Sequence, residues 1–81
     1  DKDEEMAAVR PSHRAFNGRL ADEGRLLAAG PYVGTHDALI VVRADDEAGA
    51  LALLEEDPFH QAGYINERIP REWNPVIGVL A

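Results

Sequence analysis

Residues 38–42 read Ala-Leu-Ile-Val-Val, five apolar residues in a row. A strand sends its side chains alternately to two faces, so an unbroken run of this kind is apolar on both. It predicts a central strand over Ala38 to Val42, covered above and below. The cover has to come from a chain of 81 residues, which is room for a single domain over 1–81. A domain of this size buries only about 60% of its unfolded surface.

The first cover is a helix. Met6, Val9, His13, Phe16 and Leu20 recur at spacings of three and four, which places them on one face. Asp3, Glu4 and Glu5 suit a helix amino-terminal end. Pro11 interrupts the pattern, because inside a helix it removes a hydrogen bond and clashes one turn back. The expected layout is a short turn over residues 4–9, then a longer helix from Pro11, with Gly24 as a left-handed cap. Leu26 to Ala29 reads as a strand running into a Gly30-Pro31 turn, and Gly34 to Asp37 as a second turn.

After the apolar strand, Asp45 or Asp46 caps a helix that runs to about Glu55, with Ala48, Leu51, Ala52 and Leu54 as its core face. Asp57 caps a further turn of helix with Pro58 at its first position, ending near Ala62. Ile65 to Trp73 reads as the last strand. Alternation puts Ile65, Glu67, Ile69, Arg71 and Trp73 on one face, and Pro70 marks an edge or a bulge. The apolar tail from Val76 to Ala81 suits packing on a partner subunit. The order helix, strand, strand, helix, strand is an α+β layout, β-α-β-β-α-β with its first strand absent.

Composition removes several functions. Fifteen acids against eight basic residues leave a net charge of −7, which disfavours nucleic acid as a partner. The absence of cysteine removes disulfides, thiolate metal sites and a cysteine nucleophile. No apolar run approaches the ~18 residues of a membrane span, and nothing resembles a signal peptide. A cytoplasmic protein is the expectation. His13, His36 and His60 show no metal-ligand spacing, so no metal is expected. Glycine-rich phosphate loops are missing as well, and no cofactor is expected.

Two residues stand out as candidates for chemistry. His13 lies in the middle of an apolar face and so points at the sheet, either as a satisfied core histidine or as a functional group under a cavity. Asp57 is by itself an ordinary helix cap. Ser12, the only serine, is about 100° around the helix from His13 and cannot pair with it as a nucleophile. His36 reads as a turn residue, and His60 as an exposed one.

Three short motifs occur in order. They are Arg10-Pro11-Ser12-His13, then Glu23-Gly24-Arg25-Leu26-Leu27-Ala28-Ala29-Gly30-Pro31, then Asp57-Pro58-Phe59 with Ala62-Gly63. With the ending Arg71-Glu72-Trp73-Asn74-Pro75, this resembles the YciI-like (YCII-related) family. The resemblance implies a ferredoxin-like fold assembled as a dimeric α/β barrel, hence a homodimer. It implies a cavity-facing histidine–aspartate pair, here His13 and Asp57, with Asp57 capping through one oxygen and orienting His13 with the other. Arg10, Ser12, Phe16, Gly30, Pro31, Tyr32 and Phe59 are the matching candidates for contact with a small molecule, and Trp73 joins the aromatic lining.

An imidazole whose tautomer is fixed by a carboxylate can move protons. The expectation is therefore cofactor-independent acid–base chemistry, an elimination or isomerisation of a small cyclic or phenolic substrate, in the manner of a lyase or isomerase, and the resemblance to the family adds a dehydrochlorinase-like activity. The alternatives are a dimeric module that binds a small molecule without converting it, and a purely structural dimer. In a ferredoxin-like sheet the first strand is central. The chain is thus expected to lack about ten mostly apolar residues ahead of Asp1, with Asp1 to Glu5 as the loop that follows them.

Overall fold

The computed structural model describes residues 2–81. Helix α1 spans Lys2–Asp22, strands β1 and β2 span Leu26–Pro31 and Ala38–Val42, and helices α2 and α3 span Glu47–Leu53 and Pro58–Gln61. This is a small α+β fold whose two strands pair antiparallel.

Helix α1 is continuous through Pro11, which corrects the expected break into two helices. Proline leaves one carbonyl unpaired, that of Ala7 four residues back. Both residues are exposed, so water can take the free carbonyl. Residues 2–5, a loop on the missing-strand expectation, are helical, and Asp3, Glu4 and Glu5 form the acidic first turn that the helix dipole favours. Asp1 lies outside the described residues. At the other end Gly24 has φ 77°. The Gly24 amide donates to the Ala21 carbonyl at 3.0 Å and the Arg25 amide to the Leu20 carbonyl at 2.9 Å. That paired closure is a Schellman cap, which needs the left-handed backbone glycine adopts without strain.

Strand β1 continues two residues beyond expectation, because Gly30 pairs with Leu39 and Pro31 with Ala38. The single turn then covers 32–37, closed by the Tyr32 amide to the Asp37 carbonyl at 2.9 Å, with Gly34 at φ 78°. A bulge at Leu27 shifts the register between Leu26 and Ala28. Strand β2 has the expected bounds but not the expected central place. It pairs with β1 alone, and Ala38 and Leu39 are exposed.

The core sits under α1, where Phe16 and Leu20 are 7% and 4% exposed. Helix α1 packs against both β1 and α3. Helix α2 is shorter than expected and half-buries Leu51 and Leu54, while Ala48 and Ala52 are exposed. Its cap is Asp46, whose side chain accepts the Gly49 amide at 2.7 Å.

No strand forms over residues 65–73. Strand structure needs a neighbouring edge to bond, and this segment pairs with neither β1 nor β2, which bond only each other. Pro70 removes one amide besides. The expected faces are mixed as well, for Ile65, Arg68 and Pro70 are half-buried while Ile69 and Trp73 are exposed. Arg68 anchors the segment, donating to the Leu51 carbonyl at 3.3 Å and to Glu55 at 2.8 Å. Within the described residues no helix is long and apolar enough to cross a membrane.

Candidate functional site

The stripe that carries Phe16 and Leu20 into the core brings His13 to the start of α3 rather than to the sheet. His13 Nδ1 lies 2.7 Å from Asp57 Oδ1. Asp57 is 1% exposed and the His13 side chain 23%. The two residues are 44 positions apart in sequence, so only the packing of α1 on α3 joins them.

Local sequence fixes the carboxylate. Asp57 caps α3, and its Oδ1 accepts the Phe59 amide at 2.9 Å. Pro58 follows at the first helical position, where its missing N–H costs nothing. Gly63, at φ 80°, closes the other end, with the Gly63 amide on the His60 carbonyl and the Tyr64 amide on the Phe59 carbonyl, each at 3.0 Å. One carboxylate oxygen thus serves both the cap and the histidine. This differs from the expected division between two oxygens. A single acceptor has two lone pairs, enough for the Phe59 amide of α3 and the His13 ring of α1.

An ionised carboxylate only accepts hydrogen bonds, so Nδ1 carries the ring proton and donates it to Asp57. The lone pair of a neutral imidazole then sits on Nε2. Phe59 stacks on the ring, with centroids 4.0 Å apart and planes 5° from parallel. Tyr64 meets Phe59 edge-on at 5.8 Å. The imidazole therefore has one covered face and one fixed edge.

Asn17 is the site residue that sequence reasoning missed. Its Nδ2 lies 3.3 Å from both ring nitrogens of His13. With the Nδ1 proton committed to Asp57, the amide can donate only to Nε2. Asn17 Oδ1 is buried without a partner. The position of Asn17 one helical turn after His13 was the available signal.

The other candidates are spread out. Phe16 is in the core, Arg10 and Ser12 are exposed on α1, Gly30 and Pro31 are exposed in β1, and Tyr32 is exposed in the turn. Among the described residues no hydrogen bond or ring contact joins Ser12, Gly30, Pro31 or Tyr32 to His13. His60 is half-buried rather than exposed and bonds Glu55 at 3.1 Å. The Glu55 carboxyl is held below its ordinary value by its hydrogen bond to Arg68. A cleft of about 110 Å³ is lined by Phe16, Leu20 and Glu56 among others. A second, of about 550 Å³, lies between β2 and the end of the chain. Neither is lined by His13 or Asp57.

Residues 1–74 match the family model described as the YCII-related domain. No curated protein and no solved structure matches the chain.

Proposed function

Since the chain belongs to the YCII-related family, we propose that it is a small-molecule enzyme using His13 and Asp57 for cofactor-independent acid–base chemistry. The observation that carries this reading is the 2.7 Å contact from a part-exposed imidazole to a buried carboxylate. Asp57 holds the tautomer that leaves Nε2 as the base. Nε2 takes a proton from an acidic carbon or a phenol and returns it elsewhere, giving an elimination or an isomerisation of a small cyclic or phenolic substrate. The Phe59 face keeps one side of the ring dry. The amide of Asn17 is displaced as substrate arrives.

A second reading, a dimeric module that binds without turnover, is favoured by one observation. The two clefts avoid the His13–Asp57 pair. A second copy would complete a cavity over His13 in the proposed dimeric α/β barrel, with a ferredoxin-like layout in each copy. Exposed Ile69, Trp73, Val76 and Ile77 would supply apolar side chains to such a contact.

The experiment is a screen of phenolic and quinol-like compounds for stabilisation of the protein, followed by assay of each ligand with the native chain and His13→Ala. Turnover that disappears in the folded variant supports the enzyme. Binding without turnover in the native chain sustains the module instead.

A further inference from the structure

We propose that the ligand of the His13 site is a small organic carboxylate, and that Arg10 and Arg14 select it. The inference rests on the reading of His13 as the acid–base group and adds the charge of what that group acts on.

Arg10, His13, Arg14 and Asn17 stand at i, i+3, i+4 and i+7 on α1. At about 100° per residue they share a sector about 100° wide. Phe16 and Leu20 take the buried side of the same helix. The stripe therefore runs along the rim where His13 passes from core to solvent, and Arg10 and Arg14 are exposed beside it.

Charge along the chain is segregated. Residues 6–21 hold Arg10, Arg14 and Arg19 and no acid, in a chain whose net charge is −7. Like charges four residues apart disfavour a helix, and a carboxylate one turn away would offset that. None is present. The positions one turn from Arg10 are Met6, Ala7, His13 and Arg14, and those from Arg14 are Arg10, Pro11, Asn17 and Gly18. Arg25 and Arg68 are ion-paired, with Glu23 and Glu55, whereas Arg43 and Arg71 have no ion pair among the described residues. Arg19 lies over the Phe16 ring at 5.9 Å. Among the described residues, neither Arg10 nor Arg14 has an ion pair or side-chain hydrogen bond. The one carboxylate bonded to His13 is Asp57, which is buried and engaged by the imidazole and by the Phe59 amide. A ligand approaching the exposed edge of His13 thus meets two uncompensated cations.

Guanidinium groups present paired N–H donors that fit a carboxylate. Their second effect is on the reaction. When Nε2 takes a proton from the ligand, the electron pair of the broken C–H or O–H bond stays on the ligand as an enolate or phenolate. Fixed positive charge beside it lowers the energy of that anion.

The test uses the isotope-labelled full chain and two flat probes of equal size, benzoate and benzamide, at one ionic strength. Ring signals of His13 and Phe59 report binding. Benzoate is expected to bind at least about tenfold more tightly than benzamide. Arg10→Gln and Arg14→Gln should each weaken benzoate several-fold and leave benzamide unchanged, while Arg43→Gln, exposed just after β2, changes neither. Equal affinity for the two probes, or benzoate binding indifferent to both substitutions, overturns the inference and leaves the His13 site standing. Failure of both probes to move His13 at concentrations on the order of 10 mM overturns the ligand site and the inference together. A change of oligomeric state in Arg10→Gln or Arg14→Gln, with benzoate affinity kept, assigns the arginines to a protein contact and also overturns it.

Discussion

His13 and His60 each reach a carboxylate near α3, and the surroundings of the two carboxylates differ. Asp57 is 1% exposed, 2.7 Å from His13, and holds the Phe59 amide with the same oxygen. Glu55 is 51% exposed, 3.1 Å from His60, and shared with Arg68. Burial and a backbone donor give Asp57 one geometry. Exposure and a competing guanidinium make Glu55 a surface staple, of a kind that solvent screens. A histidine–carboxylate pair therefore fixes a ring in one place and joins a surface ion-pair cluster with Arg68 in the other. His60 Nδ1, buried without a partner, offers nothing to a ligand.

The sharpest way to break this contrast is to remove each histidine. Turnover of any substrate found should fall about 10²–10⁴-fold in His13→Ala, the usual contribution of a general base, and stay within a few-fold of native in His60→Ala. Steady-state rates on both variants check it. Comparable losses would erase the distinction between the pairs.

The carboxylates come next. Asp57→Ala loses a helix cap, worth about 0.5–2 kcal/mol, and leaves His13 without an acceptor. Denaturant unfolding should show that loss, with a much smaller change in Glu55→Ala. Asp57→Asn keeps an oxygen for the cap, so it should recover most of the stability while turnover remains low. An Asp57→Asn variant with native turnover would mean that the charge on Asp57 plays no part.

Asn17→Leu should act more gently. The donor to Nε2 disappears while the Nδ1 contact stays. In nitrogen-detected spectra the Nε2 resonance of His13 should move and the Nδ1 resonance hold. Movement of both would mean that Asn17 supports the whole ring position.

The smallest effect concerns pH. Arg68 lowers the Glu55 carboxyl from its ordinary value of 4.5. A folded value below the unfolded one stabilises the fold above the unfolded value and loses that contribution as pH falls through the folded one. Trp73 fluorescence, reporting on the tail, should therefore change below the ordinary carboxylate range in the native chain. Glu55→Gln should lack that step. A step that persists in the variant would assign it to another group.

Much of this was legible in the sequence where the signal is local. The caps at Gly24 and Asp57 follow from residue type and immediate neighbours, as does the choice of Asp45 or Asp46 for α2, and β2 shows its bounds in an unbroken apolar run. His13 and Asp57 were paired through family motifs, because nothing in local periodicity links positions 13 and 57. What stayed hidden depends on distant partners. Residues 65–73 alternate like a strand, yet a strand exists only where another edge accepts its bonds. Continuity through Pro11 depends on the exposure of Ala7, set by how α1 lies on β1 and α3. The Phe59 stack and the Asn17 amide depend on how His13 turns once Asp57 has claimed Nδ1.

The central claim is that Asp57 fixes the His13 proton on Nδ1 and frees Nε2 to act as a base. Long-range proton–nitrogen spectra of the labelled protein, recorded where the ring is neutral, read this directly. The account predicts a protonated Nδ1 and an unprotonated Nε2 in the native chain, with that preference lost in Asp57→Ala. A proton on Nε2, or a tautomer indifferent to the substitution, would contradict it.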